Sequence, residues 1–111
     1  MTKKTTDNVI LMNLNDATAL KMVKELATDS SNVFMAHHAT IRKGQRHVSD
    51  LEILKCLRNG RVVERVHKTA HGNWKLTIGH FLMQRNIRVA VALDNGDDGN
   101  YLIVVTVIVV E

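Results

Sequence analysis

The run Tyr101–Val110, YLIVVTVIVV, constrains the fold more than any other stretch. Eight of its ten residues are β-branched, stiff about χ1 and suited to a pleated strand. It is apolar at odd and even positions alike, so a strand made of it needs cover on both faces. A membrane-spanning helix needs about 20 apolar residues, and this run, broken by Thr106, falls well short. The chain must therefore build a sheet with an interior place for this strand.

The residues before it supply the rest of such a sheet. Ile87, Val89, Val91 and Leu93 alternate with Arg88, Ala90, Ala92 and Asp94. Trp74, Leu76 and Ile78 alternate with Lys75, Thr77 and Gly79. Both patterns have the period of two of a strand buried on one face. Arg61–Lys68, RVVERVHK, reads as an edge-like strand. Thr69–Asn73, containing Gly72, reads as a hairpin turn, Gln84–Asn86 as a polar connection, and DNGDDGN over 94–100 as a loop. In that loop Asn95-Gly96 is a hairpin signal.

Before Gly60 the period lengthens to that of a helix. Ala19, Leu20, Val23, Leu26 and Ala27 recur at helical spacing behind a capping Asn15 or Asp16,. Thr28–Asn32 is a turn cluster, and Val33–Ala36 a brief strand or extended entry. A helix is expected over His38–Gln45, weakened and shortened by Gly44,. A second runs over Ser49–Asn59, opened by the capping box Ser49-x-x-Glu52 and stopped by Gly60,. The expected fold is α+β: two to three N-terminal helices packed on one face of a mostly antiparallel sheet of about four strands, with Tyr101–Val110 inside it. Residues 1–111 are expected to form a single domain, with 1–8 fraying and Val9–Met12 as an apolar lead-in,.

Aromatic residues make up 4% of the chain, so the core must be aliphatic. Cys56 is the only cysteine, which rules out an internal disulfide and suits a reducing compartment,. With no apolar leader segment at the start, the expected location is cytoplasmic, without a membrane. Net charge is +4, unevenly placed: Arg42–Arg88 holds 11 Lys/Arg against 3 Asp/Glu, and all six histidines lie between residues 37 and 80. A basic middle suits an anionic partner, nucleic acid above all, and a merely solvated surface is the plainer reading.

Within that middle, His38, Arg42 and Arg46 stand at four-residue steps, which places them along one side of a helix,. Imidazole moves protons near neutral pH, and guanidinium grips phosphate with a fork of donors. Metal-free RNA cleavage needs a base, an acid and positive charge on the phosphate. His38 is the candidate base or acid, and Arg42 and Arg46 the candidate phosphate clamp. Supporting candidates are Thr106, expected on one strand face with Val104 and Ile108, and Lys75, Thr77 and His80. Lys75 and Thr77 share a face, with His80 on the other. Set against this, the trio reads equally as a solvated helix face, and Thr106 as an ordinary strand former. Cys56 and Trp74 read as core. No cofactor motif and no metal-ligand spacing is present,.

The stretch His38–Gly60 also resembles a small bacterial family, domain of unknown function 4258. That family's pattern is His-Ala, arginines four and eight residues after the histidine, Gly-Ile-Ser/Thr, and a helix ending in Asn-Gly. His38-Ala39, Arg42, Arg46, Val48-Ser49 and Asn59-Gly60 match it in register, while His47 replaces the family's glycine. The resemblance runs from about Val33 to the end of the final strand, where Thr106 matches a recurring Val-Thr-Val ending. The family is grouped with metal-independent ribonuclease toxins of the barnase, EndoU, colicin and RelE-like type. The resemblance therefore implies an endoribonuclease toxin of a toxin–antitoxin pair, with RNA as substrate and an antitoxin-like protein as partner. The alternative is a non-catalytic basic module of the same fold that binds RNA or a protein, or forms a homo-oligomer.

Overall fold

The structure, a computed structural model, describes residues 14–110. The fraying expected of 1–8 and the lead-in at Val9–Met12 lie outside them. Helix α1 (Asp16–Ala27) opens on Asn15, whose side chain accepts from Thr18 N at 2.8 Å. This satisfies one of the amide donors a helix start leaves unpaired. A 3-10 turn over Ser30–Asn32 leads into β1 (Val33–Met35). Helix α2 (His37–Arg46) and helix α3 (Asp50–Asn59) follow. The sheet is completed by β2 (Arg61–Lys68), β3 (Trp74–Leu82), β4 (Arg85–Gly96) and β5 (Gly99–Val110).

The strand order is β1-β5-β4-β3-β2, with β1 parallel to β5 and every other pair antiparallel. The sheet has five strands where about four were expected, because Val33–Met35 takes the brief-strand alternative and pairs with Leu102–Val104. β5 thus lies inside the sheet over Leu102–Val104. Beyond Val104, β1 has ended and α2 packs along the flank of β5.

All three helices contribute to one core on one face of the sheet. Val23, Ala27, Ala39, Ile53 and Leu57 are fully buried against Leu76, Ile78, Val89, Val91, Leu102 and Val104. Cys56 belongs to the same layer, as expected, and burial pushes its thiol up to about 12. Among the described residues no helix is long and apolar enough to cross a membrane.

Three local readings are corrected. Helix α2 does not end early at Gly44 but runs through it to Arg46. It closes on His47, whose φ of 55° is left-handed, with His47 N donating to Gly44 O and Val48 N to Lys43 O. The tight turn stands with histidine in the glycine position, because paired backbone bonds hold it. The connections between strands are shorter than expected. β3 reaches Leu82 and β4 begins at Arg85, leaving Met83–Gln84 as the turn, with φ of 54° and 64°. Such two-residue turns match the twist of the strands, yet neither residue signals one. Likewise β4 continues through Asn95-Gly96, and the turn is Asp97–Asp98.

The third correction concerns the face of Thr106. Ala90 pairs with Thr106, but the next residue, Val91, pairs with Val104, so Val105 is an extra residue in β5. This bulge reverses the alternation. Leu102 and Val104 are buried before it and Val107 after it. Thr106 therefore shares the sheet's other face with Ile108 and not with Val104.

Gly60 ends α3 as expected, but not through a left-handed backbone: its φ is −81°. A Cβ there would stand 2.5 Å from Cys56 O, 2.6 Å from Gly79 O and 2.6 Å from the Ile78 side chain. Glycine is required by the close approach of α3 to β3. Two substitutions should therefore move stability in opposite directions in urea unfolding. Gly60→Ala should lower it by about 1–3 kcal/mol, the usual range for forced overpacking. His47→Gly should raise it by about 1 kcal/mol, by relieving the left-handed strain of a residue with a Cβ.

Candidate functional site

Helix α2 begins with no side-chain cap, since Ala36 holds the N-cap position. Its start is fixed instead by the sheet: Ala36 N donates to Val104 O at 3.0 Å, one step beyond the Met35–Val104 pair. This register sets the start of α2 next to Val104, the residue before the bulge at Val105. Ala39 turns inward and is fully buried, while His37, His38 and Thr40 are exposed. A single inward alanine holds this short polar helix without using its outer face,.

On that outer face Arg42 Nε donates to His38 Nε2 at 3.3 Å, and Arg42 Nη1 donates to Gln45 Oε1 at 3.2 Å. The first contact assigns the His38 tautomer, because an Nε2 that accepts leaves the proton on Nδ1. Arg46 is exposed, and among the described residues its side chain makes no ion pair. Lys43, on the flank of α2, is paired with Asp50.

The carboxyl end of α2 is fixed by a residue the sequence did not single out. Arg85, at the start of β4, donates to Arg46 O at 2.9 Å, to His47 O at 3.0 Å and to Glu52 Oε2 at 3.0 Å. Glu52 also accepts from Ser49 N at 2.9 Å, while Ser49 Oγ accepts from Glu52 N at 3.1 Å. One guanidinium therefore joins the end of α2, the capping box of α3 and the first residue of β4. The backbone N–H of Ser49 and, after it, the Arg85 contact hold the Glu52 carboxyl below the ordinary carboxylate range.

The supporting candidates fall in separate places. Thr106 is half-buried on the face of the sheet opposite the core. It lies in a cross-strand row with Ala90, Thr77 and Glu64. Thr77 is 6% exposed and donates its hydroxyl to Glu64 Oε1 at 2.7 Å. Lys75 lies on the same face, in the next row. Both are on β3, separated from β5 by β4, a span of about 10 Å at ordinary strand spacing. His80 alternates to the other face. The structure thus groups His38, Arg42 and Arg46 on α2, and does not bring Lys75, Thr77 or His80 to them.

Trp74 packs against the core as expected, with the Lys68 ammonium 5.4 Å from its ring centre. The sequence reasoning also passed over Arg61 and Arg88. Their outward positions were legible from alternation, but their common row, Arg61–Gly79–Arg88, exists only through strand register.

Fold and site together define a small α+β domain with an imidazole–guanidinium face on its second helix. The chain belongs to the family described as Domain of unknown function (DUF4258), which matches residues 35–109. The match includes all of α2, α3 and β2 to β4, nearly all of β5, and excludes α1. Neither the curated proteins nor the solved structures gave a match.

The Arg85–Glu52 junction makes a prediction about pH. A carboxyl whose folded pKa is depressed adds stability that is complete above its unfolded value and is lost as pH falls through the folded one. Melting temperature should therefore fall as pH drops below the ordinary value of 4.5. Thermal melts of Glu52→Gln across the same range should show a shallower fall.

Proposed function

We propose that this domain binds single-stranded RNA and cleaves it without a metal, as the toxin of a toxin–antitoxin pair acting in the cytoplasm. The carrying observation is the contact between Arg42 Nε and His38 Nε2 on an exposed helix face. The basic run from Arg42 to Arg88, and the resemblance to ribonuclease toxins that the motif around His38 implies, support the same reading.

The chemistry follows from these groups. A scissile phosphate entering the α2 face competes for the Arg42 guanidinium, and its departure from His38 frees the Nε2 lone pair. Nε2 then takes the proton of the ribose 2′-hydroxyl. The 2′ oxygen attacks phosphorus in line, the bond to the 5′ oxygen breaks, and the leaving oxygen takes a proton from water at the open face. The products are a 2′,3′-cyclic phosphate and a free 5′-hydroxyl. Arg42 and Arg46 stabilise the charge that builds on the phosphoryl oxygens. Thr106 offers a hydroxyl to orient the ribose. An antitoxin-like partner would act by covering the His38 face.

One observation favours a second reading, in which the domain binds RNA or a protein, or pairs with its own copy, without cleaving. Lys75 and Thr77 lie on β3 and His80 on its other face, so none of these three brings a second proton donor to His38.

The two readings divide on one set of measurements. Under the first, purified protein cuts single-stranded RNA in the presence of chelator. His38→Ala lowers the rate by about 10²–10⁴-fold, the usual contribution of a general base. Its melting temperature stays unchanged because the side chain is exposed. Arg46→Lys also slows cleavage, since an ammonium cannot reproduce the two-pronged grip. RNA affinity falls steeply with salt as counterions are released. If protein freed of any partner leaves RNA intact but still binds it in this salt-dependent way, the second reading stands.

A further inference from the structure

Strand register builds a second basic site at the other edge of the sheet. β2 begins at Arg61, directly after α3, and its first residue pairs with Gly79. The outer edge of β3 is therefore unpaired from His80 to Leu82. A cleft of about 330 Å³ opens at this edge, lined by Asn59, Arg61, Val63, Phe81, Asn86 and Arg88 among others. Arg61, Gly79 and Arg88 form one cross-strand row on the face away from the core. The two arginines thus lie about 10 Å apart at ordinary strand spacing. Gly79 has no side chain of its own, and the Val63 methyls cover it, Cγ1 standing 2.7 Å from where a Cβ would be, so the floor between the two arginines is a small apolar one.

Two exposed guanidiniums flank a glycine on one sheet face. Among the described residues neither makes an ion pair. The carboxylate of the adjoining row, Glu64, is engaged by Thr77. Beside them Phe81 is 64% exposed although it sits in a strand. An unneutralised pair of cations, a bare aromatic ring and the amides of Asn59 and Asn86 share one cleft. Together they match a phosphate joined to a flat, hydrogen-bonding ring.

We propose that this cleft binds a nucleotide, with the phosphate between Arg61 and Arg88 and the base stacked on Phe81. Guanidinium forks fit phosphate oxygens in pairs, and a base has a π-face for any aromatic ring. The carboxyl end of α3, at Asn59, carries the negative end of the helix dipole. That wall disfavours phosphate and favours the amino groups of a base, which fixes the orientation. The nucleotide is either free or one unit of an RNA strand. The site stands apart from the α2 chemistry and needs no cleavage.

The test is a titration followed by amide NMR, using adenosine 5′-monophosphate, inorganic phosphate and a short single-stranded RNA. Adenosine monophosphate should shift the amides of Gly79, His80, Phe81 and Arg88. Arg61→Gln with Arg88→Gln should weaken it at least tenfold. Phe81→Leu should weaken the nucleotide while leaving phosphate binding unchanged. Arg88→Lys separates fork from charge, and should lose most of the affinity while remaining folded. Shifts from the RNA alone, abolished by the arginine pair, assign the cleft to a unit of a strand. Shifts from the free nucleotide assign it to a mononucleotide. Binding in His38→Ala should match the parent protein, so failed cleavage at α2 leaves this result intact. The proposal is overturned if none of the three ligands moves these amides. It is overturned too if the arginine variants bind as the parent does, or if phosphate binds as well as the nucleotide and Phe81→Leu changes neither.

Discussion

A strand that is apolar on both faces and extends past its only outer neighbour dominates this domain. β5 is paired along its length with β4, but β1 covers its other edge for only three residues. The remainder would present unpaired backbone and valine side chains to water, which is the setting for edge-to-edge aggregation. Helix α2 lies there instead. The demand for cover on β5 thus explains why a polar helix with one buried alanine has a fixed place. It also explains why the candidate catalytic face is held rigidly beside the bulge rather than on a loop.

The other end of that helix is held by charge and hydrogen bonding. Arg85 binds two carbonyls at the α2 terminus and the carboxylate of the α3 capping box. Carbonyls at a helix end are unpaired acceptors carrying partial negative charge, and a guanidinium satisfies them in geometry and in sign. Because the pair with Glu52 is mostly shielded from water, with 30% and 18% side-chain exposure, it is screened less than a surface ion pair,. The two ends of α2 are therefore fixed by different physics, backbone pairing to β5 at one and a charged clamp from β4 at the other.

The sheet separates two basic regions that the sequence shows as one. Between Arg42 and Arg88 the excess of positive charge looks like a single patch. In the fold, α2 flanks β5 near one edge, while Arg61 and Arg88 flank Gly79 across β2, β3 and β4. Between them on the sheet face away from the core lie Gly79 under Val63, Ala90, Ala92, Thr77 and Thr106.

Much of the fold was legible because it rests on local chemistry. The β-branched run at the end required an interior strand. Period two after Gly60 and helical spacing before it separated sheet from helices, and Ser49-x-x-Glu52 marked a helix start that the structure reproduces atom for atom. The four-residue steps also placed His38 and Arg42 in reach of each other. What the sequence did not decide was everything set by register. A bulge at Val105 turned Thr106 to the other face, because one extra residue inverts every later side chain and leaves no mark in composition. The Met83–Gln84 turn took left-handed backbone without glycine because the twisted strands on either side impose it. Gly60 was required by the approach of Gly79 and Ile78 from another strand, Arg85 found its carbonyls 38 and 39 residues away, and Arg61 met Arg88 across Gly79. Each depends on which residue lies opposite which, and pairing between distant segments is settled only when the whole sheet closes on one core.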